Sequence, residues 1–505
     1  MVINIVLSII SGVLLSLAFP KYDLFWLAWI ALVPFFVALG RVDNWRKALL
    51  CGLSFGLVFF GIHLLWMFTL YRFVAWWIAL GWASLVVFQT LFILLFTVLA
   101  YAFFVSGLPR KKHFRSPDRP ASSALVGRGH SSSGLSNGLR GIAYAIGLAL
   151  LWVAIEWLRA WGPFGVPGGG VGYSQVKWLA VIQIAAFVTV YGITFLVVFF
   201  NISLAIFLQN KERWQTLVIS LILILASTFY GIQVLATPFS FRTRTFSLSD
   251  VLHKTAITKQ LALIQPNIDQ LEKLNRSNTS EIFNKMLKLT RQAMQSDPDV
   301  VIWPETSVVT YMLFDANMMA QLKSLAAQSD AWLIIGTPHY SGGKASNSMV
   351  SISPAGKIVT RYDKGHLVPF SEYLPFRPIL YPLLKQVGYF EYDYFGNNNP
   401  VQLEAAGFNI AAAICFESLF PDVIRDRVKK YSNFILLLTN DGWFGDSSAL
   451  YFHLNAGVFR AIENRCYFVQ VANTGFSAVI DPYGRMIKKS KVGEEQILTF
   501  QMPLP

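Results

Sequence analysis

Charged residues are scarce in this chain of 505 residues: they make up 14% of it, while 54% of the residues are hydrophobic. A soluble protein normally carries about a quarter of charged residues. The mean hydropathy of +0.48 is correspondingly high. This composition excludes an ordinary soluble protein and indicates that much of the chain is buried in lipid. The length is sufficient for two or more domains.

Cysteine is also rare, with Cys51, Cys415 and Cys466 as its three positions. Cys51 lies in an apolar stretch typical of a membrane helix, so a disulfide framework is excluded. The ionisable residues show no spacing typical of a zinc site. We therefore expect neither a metal nor another cofactor.

Acidic residues are outnumbered, which leaves a formal net charge of +14. Such an excess is typical of proteins that bind nucleic acid or a membrane surface. Here the basic residues lie in short loops between apolar runs. This distribution favours a membrane and argues against nucleic acid as a partner.

Seven apolar runs in the first half are long enough to cross a bilayer, which takes about 17–25 residues. They lie near 3–19, 24–40, 48–70, 74–106, 141–160, 177–208 and 215–236. No basic region precedes the first run, so we do not expect a cleavable signal peptide. The sequence predicts a polytopic α-helical membrane domain over residues 1–236.

The basic loops set the expected orientation. Lysine and arginine concentrate at 41–47, 110–140 and 211–213, which are alternate loops between the predicted spans. The positive-inside rule then places the N-terminus in the cytoplasm. Seven spans carry the rest of the chain to the outer side, as a connector at 237–259 and an extracytoplasmic domain at 260–505.

The periodicity changes in the second half. Short buried strands are predicted at 261–264, 300–303, 332–335, 409–414, 434–438 and 467–472. Helices are predicted at 277–297, 315–328 and 450–464, and hairpins turn at 354–356 and 481–484. Alternating strands and helices are typical of a layered α/β domain with helices packed outside the sheets.

Three reactive groups follow strands of this domain. Glu305 ends the stretch Trp303-Pro304-Glu305, Lys364 follows the first hairpin, and Cys415 ends an apolar run. Each has a plain alternative: a solvated loop carboxylate, an incidental surface charge or a core cysteine. Together they form a chemical set, because a cation lowers the pKa of a thiol and a carboxylate takes its proton.

In the order Glu, Lys, Cys these stretches resemble the nitrilase superfamily, whose members carry such a triad on an α-β-β-α sandwich. The resemblance covers about residues 260–500. Further matching stretches are 440–444, His453, 460–465 and 472–475.

A membrane domain in front of such a triad, with the stretch 366–375, resembles the bacterial apolipoprotein N-acyltransferase family. The resemblance implies a multi-pass protein of the bacterial inner membrane. It implies transfer of an acyl chain from a phospholipid, chiefly phosphatidylethanolamine, to the α-amine of the diacylglyceryl cysteine of an apolipoprotein. We expect a monomer.

The resemblance also implies the roles of individual residues. Cys415 is the expected nucleophile, Glu305 the proton acceptor, and Lys364 the group that stabilises the oxyanion and the thiolate. Glu372 and Glu417 match carboxylates that orient Lys364 and the entering amine.

Other parts of the site follow from the chemistry of acyl transfer. The backbone N–H of Phe416 is a second donor to the oxyanion. We expect the long apolar stretch 373–399 to dip into the outer leaflet and frame the lipid entrance. The candidate substrate-binding residues are Tyr373, Phe376, Trp443 and Phe444.

The sequence departs from the family pattern in three places. Phe416 stands where a tyrosine is frequent, and Leu274 where a tryptophan is frequent. After the last predicted strand we expect no further membrane helix of the kind that many members carry. Two alternatives stay open: a membrane-tethered nitrilase-type amidase, and a catalytically inactive lipoprotein-binding protein.

Overall fold

The computed structural model describes residues 1–107, 133–236, 257–387, 391–397, 399, 401–428 and 432–504. The chain divides into two compact units. The helical unit comprises Met1–Leu65, Leu80–Arg159 and Thr194–Ala226, and the α/β unit comprises Trp66–Ala79, Ala160–Ile193 and Ser227–Pro505. This division differs from the predicted boundary at residue 236. The predicted connector lies outside the described residues except for its last three.

Five helices in the described part of the chain are long and apolar enough to cross a membrane. They are Trp45–His63, Trp77–Ala102, Leu139–Ala160, Ala185–Gln209 and Lys211–Ala236. The first two predicted spans form shorter apolar helical segments, Val2–Leu17 and Phe25–Arg41. The seven-span topology therefore stays a prediction, with five of its members long enough to span by themselves.

An aromatic cluster forms the centre of the helical unit. The rings of Phe35 and Phe55 stack at 4.7 Å, and Phe96 meets Trp152 edge-on at 5.0 Å. Gly52 allows a close helix contact, since a Cβ there would lie 2.7 Å from Thr97. Such close packing is how helices associate in lipid, where no hydrophobic force drives them together.

The described part of the α/β unit has twelve strands. They are β1 (Thr258–Gln265), β2 (Val300–Ile302), β3 (Trp332–Ser341), β4 (Lys344–Ile352), β5 (Ile358–Asp363), β6 (Gln402–Ala405), β7 (Phe408–Ile414), β8 (Phe434–Thr439), β9 (Tyr467–Ala472), β10 (Ala478–Ile480), β11 (Met486–Lys489) and β12 (Gln496–Pro503). They form two six-stranded sheets, ordered β12-β1-β2-β3-β4-β5 and β11-β10-β9-β8-β7-β6.

Both faces of each sheet are covered. In β1, Leu261 and Leu263 face the core between the sheets, while Ala262 and Ile264 face the helices Thr279–Met294 and Ala316–Ser329. This alternation follows from the two-residue period of a strand. The helices Pro421–Arg427 and Ser448–Asn464 pack against the second sheet. The predicted α-β-β-α sandwich is confirmed.

The strand directions bring the predicted reactive residues to one edge of each sheet. β1, β2 and β3 are parallel, as are β7, β8 and β9. β5 is antiparallel to β4, which is antiparallel to β3, so β5 ends at the same edge as β2. The carboxyl ends of parallel strands are where active sites of layered α/β folds lie.

Candidate active site

Glu305 is positioned by the turn that follows β2. Trp303 is fully buried, and its indole N–H donates to Thr290 at 2.9 Å, which fixes the end of the strand. The turn packs closely over β3 at Gly336, where a Cβ would lie 2.3 Å from the carbonyl oxygen of Pro304. Glu305 is buried as a result, and burial raises the pKa of its carboxyl group, although Lys364 opposes the shift.

Lys364 follows β5 and is 1% exposed. Its Nζ lies 2.9 and 2.8 Å from the two carboxylate oxygens of Glu372 and 4.0 Å from Oε1 of Glu305. Burial disfavours the ammonium, but the facing carboxylates outweigh it and raise the pKa of Lys364 above its ordinary value. Lys364 is therefore a fixed, buried cation.

Asn347 on β4 joins the two carboxylates. Its Nδ2 donates to Oε1 of Glu305 at 2.7 Å and to Oε1 of Glu372 at 3.1 Å. The main-chain carbonyl oxygen of Asn347 accepts from the backbone N–H of Lys364 at 2.8 Å. Asn347 was not among the residues predicted from the sequence, although an asparagine at a buried strand position is a signal that a polar partner lies nearby.

Cys415 stands at the end of β7 with a φ of 52°, in the left-handed region that non-glycine residues rarely occupy. Such local strain is found at functional sites. Burial raises the pKa of the Cys415 thiol well above its ordinary value, Glu305 adds to the shift, and Lys364 opposes it. The resting nucleophile is thus a neutral thiol that needs a base.

Phe416 is the second residue of the short 3-10 helix Cys415–Leu419. The first N–H groups of a helix have no acceptor within it. The predicted oxyanion donor therefore stands beside the nucleophile. The Phe416 ring lies 5.8 Å from His366 and 5.0 Å from Phe420, so it packs in an aromatic group.

Glu417 is fully buried and lies two residues after the nucleophile Cys415 in the chain. Its Oε1 accepts from the N–H groups of Gly365 and His366 at 2.8 and 2.9 Å, and its Oε2 from that of Ile414 at 2.8 Å. Arg427 donates to both oxygens at 2.7 Å. Burial disfavours the carboxylate, but Arg427 outweighs it and lowers the pKa of Glu417 to about 2.

The two supporting carboxylates, Glu372 and Glu417, have different partners. Glu372 holds Lys364 directly. The hydrogen bonds of Glu417 instead join the loop after β5 to the turn at Cys415. The described hydrogen bonds of Glu417 position the backbone around the nucleophile, and its expected role toward Lys364 or an entering amine stays a prediction.

Thr439 ends β8, the strand next to β7, and Asp441 follows two residues later. The Thr439 hydroxyl donates to Oδ1 of Asp441 at 2.9 Å, and Nδ1 of His453 lies 2.9 Å from the same oxygen. His453 is therefore paired with Asp441. The assignment of the base to Glu305 and of the cation to Lys364 stays a prediction.

The four candidate substrate-binding residues fall in two aromatic groups of the α/β unit. Trp443 meets Phe73 edge-on at 4.9 Å, and Phe444 meets Trp66 at 5.3 Å. The other two candidates contact the glycine-rich stretch after Ala160. The hydroxyl of Tyr373 donates to the carbonyl of Pro163 at 2.8 Å, and Phe376 stacks on Phe164 at 5.6 Å.

The stretch 373–399 presents apolar side chains to its surroundings. It contains the helix Arg377–Leu384, and residues 388–390 and 398 lie outside the described part. Phe376, Ile379, Leu383 and Tyr392 are each about two-thirds exposed or more, at 66, 69, 67 and 78%. An exposed apolar surface of this kind marks a contact with lipid or protein.

Leu274, which stands where a tryptophan is frequent in the family, is a surface residue. It is 45% exposed at the end of the short helix Gln270–Leu274. The neighbouring Lys273 is buried instead, and its Nζ donates to the carbonyl oxygen of Glu305 at 3.2 Å. Lys273 was not among the residues predicted from the sequence, because its position in a polar stretch resembles that of a surface lysine.

The sequence of this chain is similar to those of known proteins. Residues 260–505 match the carbon-nitrogen hydrolase family, and residues 11–203 match the apolipoprotein N-acyltransferase N-terminal domain. The apolipoprotein N-acyltransferase of Geobacter metallireducens is 31% identical over 99% of this chain and 89% of its own length. The chain belongs to the apolipoprotein N-acyltransferase family.

Other members of the family match as well. The apolipoprotein N-acyltransferase of Bradyrhizobium diazoefficiens is 31% identical over 73% of this chain and 68% of its own. Among solved structures, a carbon-nitrogen hydrolase from Helicobacter pylori is 15% identical, with a TM-score of 0.39 over 48% of this chain and 88% of its own. The predicted family and enzyme class are confirmed: this protein is an acyltransferase with membrane helices.

Proposed function

We propose that this acyltransferase moves an acyl chain from a phospholipid, with phosphatidylethanolamine as the expected donor, to the α-amine of the diacylglyceryl cysteine of apolipoproteins. This would be the last step of bacterial lipoprotein maturation. The observation that carries the proposal is the meeting of Glu305, Lys364 and Cys415 at one edge of the sandwich, with Lys364 4.0 Å from Glu305.

The reaction has two halves joined by a thioester. In the first, Glu305 takes the proton of Cys415, and the thiolate attacks the ester carbonyl of the donor. Lys364 and the Phe416 N–H stabilise the resulting oxyanion, and one such donor is typically worth about 3–4 kcal/mol. The tetrahedral intermediate collapses, the lysophospholipid alkoxide leaves, and Glu305 returns the proton to its oxygen.

In the second half, the acceptor amine attacks the thioester carbonyl. Glu305 takes a proton from the amine nitrogen, and the same donors stabilise the oxyanion. The C–S bond breaks, the amide leaves, and the proton on Glu305 returns to Cys415. Splitting the transfer in this way lets the lysophospholipid depart before the acceptor arrives.

The contacts favour Glu305 over Glu372 as the base. Both oxygens of Glu372 lie within 3 Å of the Lys364 ammonium, and Oε2 also accepts from the Val368 N–H at 2.8 Å. Glu305 stands farther from Lys364 and accepts a single side-chain hydrogen bond from Asn347 among the described contacts. Glu305 is thus the carboxylate with room to receive a proton.

The same proposal places the enzyme in the bacterial inner membrane as a monomer. Its N-terminus faces the cytoplasm, and the domain at 260–505 works on the outer side. The exposed apolar residues of 373–399 support contact with the outer leaflet, where they would frame the entrance for lipid.

Two other functions use the same residues. A membrane-tethered amidase would hydrolyse a small amide through the same thioester chemistry. A lipoprotein-binding protein would use the same surface without catalysis, but it has no need of the complete Glu305, Lys364 and Cys415 set.

The test is the intact mass of the detergent-purified protein after incubation with phosphatidylethanolamine and no acceptor. We expect a gain of one acyl chain that neutral hydroxylamine removes and that Cys415→Ala lacks. Adding a diacylglyceryl peptide should then yield the N-acylated peptide and regenerate the free enzyme. Amide hydrolysis without an adduct would support the amidase, and the absence of both activities would support the binding protein.

A further inference from the structure

A second lysine is buried beside the proposed base. Lys273 is 2% exposed, and its Nζ donates to the carbonyl oxygen of Glu305 at 3.2 Å, which is its one hydrogen bond in the described part of the chain. Lysine is almost never fully buried unless it is paired. Burial lowers the pKa of Lys273 to about 7, and Glu305 opposes the shift.

The helix that carries Lys273 is held at its start. Asp269 caps it by accepting from the Leu271 N–H at 2.8 Å, and Arg72 donates to both carboxylate oxygens of Asp269 at 2.8 and 2.6 Å. In the next position, the carbonyl of the Gln270 side chain accepts from Nδ2 of Asn440 at 2.9 Å. Lys273 is thus directed at Glu305 from an anchored turn.

The charges around Glu305 indicate why a second cation is needed. Glu305 and Glu372 share the amide of Asn347, and Lys364 is the cation that faces both. Two buried carboxylates with one cation leave a negative charge in excess, and such a pair takes up a proton. Glu372 holds Lys364 at the shorter distance, so Glu305 is the carboxylate that would be protonated.

We propose that Lys273 is a positioning residue of the reaction: its buried positive charge keeps Glu305 ionised, so that Glu305 can serve as the base. This inference rests on the proposed function, which makes Glu305 the proton acceptor. Lys364 is the stronger neighbour of Glu305 and Lys273 the weaker one. Glu372, the Cys415 thiol and the Tyr394 hydroxyl are further ionisable groups close enough to Glu305 to interact with its charge.

The sign of the effect follows. Without the charge of Lys273, Glu305 holds its proton to a higher pH, so deprotonation of Cys415 begins at a higher pH. At alkaline pH wild-type Lys273 has itself lost its proton, so the neutral variants and the wild type converge there. Arginine keeps the charge and should keep the acid side of the profile in place.

The experiment measures the rate of Cys415 alkylation by iodoacetamide against pH on the full chain in detergent, read by mass at the Cys415 peptide. Lys273→Met and Lys273→Gln remove the charge, but glutamine keeps a donor for the Glu305 carbonyl. We expect the acid limb of the pH–rate profile to move up by about one pH unit in both variants. This is roughly a tenfold loss of the alkylation rate at acid pH. Lys273→Arg should restore the limb, and Lys285→Met, at a partly exposed ion pair, should leave it unchanged.

Three results would overturn the inference. They are an unchanged profile in Lys273→Gln, an equal loss of rate at every pH in the neutral variants, and a failure of Lys273→Arg to restore the limb. The proposed function is judged separately, by the acyl adduct of the wild type. Alkylation needs no lipid, so the role of Lys273 can be decided even if that adduct does not form.

Discussion

Replacing Glu417 by glutamine should destabilise the α/β unit more than any exposed charge substitution. Glu417 and Arg427 are both buried, and Arg427 donates to each carboxylate oxygen at 2.7 Å. Three backbone N–H groups around the nucleophile also donate to Glu417. Glutamine keeps the shape, removes the charge and leaves Arg427 as a buried cation without its anion.

The expected magnitude follows from the pKa of Glu417, which is about 2 against an ordinary value of 4.5. Each pKa unit corresponds to about 1.4 kcal/mol, so the folded surroundings favour the carboxylate by roughly 3 kcal/mol. Breaking a buried ion pair by removing one partner costs about 3–5 kcal/mol, which agrees. For a domain of this size, roughly 3 kcal/mol lowers the unfolding midpoint by about 6–12 °C.

The assay is thermal unfolding of the detergent-purified full chain, followed by loss of protection of the buried cysteine Cys466, which directly precedes β9 of the second sheet. Glu495→Gln is the matched control. Its partner Lys285 lies at 3.1 Å, but both side chains are more than a third exposed, so the change should be within about 1 kcal/mol.

A double-mutant cycle makes the reasoning refutable. Arg427→Met should also destabilise the α/β unit strongly. The double variant Glu417→Gln with Arg427→Met should lose less stability than the two single variants lose in sum, because no unpaired charge remains. A midpoint for Glu417→Gln within about 2 °C of wild type, or strictly additive losses, would show that this ion pair does not hold the nucleophile turn.

Three further predictions concern the base, the membrane contact and pH. Asn347→Ala should slow acyl-adduct formation by about tenfold or more because Glu305 loses its hydrogen bond, and Asn347→Asp should slow it further by adding a like charge; the rate of mass gain measures both, and unchanged rates would contradict the assignment. Phe376→Ser should slow adduct formation from lipid vesicles but leave Cys415 alkylation by iodoacetamide unchanged; an equal loss in both would instead indicate a role in folding. Glu417 has a lowered pKa in the folded state, so its stabilisation is present above about pH 4.5 and is lost as the pH falls toward 2; acid unfolding followed by fluorescence should show this loss in wild type and not in Glu417→Gln.

The placement of the three predicted reactive residues at strand ends was predictable, because its signal is local. Glu305, Lys364 and Cys415 each follow a strand, and the direction of each strand decides the edge at which its end lies. Residues that follow parallel strands meet whatever their separation in the chain. The same logic predicts the fold class, since the two-residue period and the buried runs are visible in the sequence.

The supporting residues were not predictable in the same way. Asn347 and Lys273 lie in a strand and a short helix whose partners are distant in the chain, so no spacing indicates their contacts. Glu417 is two residues from the nucleophile, which favours a chemical role. The 3-10 helix turns it back into the domain toward Arg427, and that rotation depends on the packed interior.

The membrane spans show a different limit. Hydropathy measures how apolar a run of residues is, but it does not show whether protein or lipid surrounds the run. The predicted span 48–70 contains two kinds of structure for this reason. The helix Trp45–His63 belongs to the helical unit, while the segment beginning at Trp66 belongs to the α/β unit, where Trp66 packs on Phe444. A run of apolar residues covered by protein and one covered by lipid have the same composition.

The arrangement of charge explains how one small site can serve both halves of the proposed reaction. In the resting state Glu305 carries the negative charge nearest the neutral thiol, and Lys364 stands 4.0 Å from it. When Glu305 takes a proton and the oxyanion forms, the negative charge leaves the carboxylate and appears on the substrate, still beside Lys364. The net charge of the buried site does not change, and the Lys364 ammonium, held by Glu372, does not need to move. Electrostatic stabilisation that is already in place costs no reorganisation at the moment of reaction, so the same donors act on the ester of the first half and on the thioester of the second.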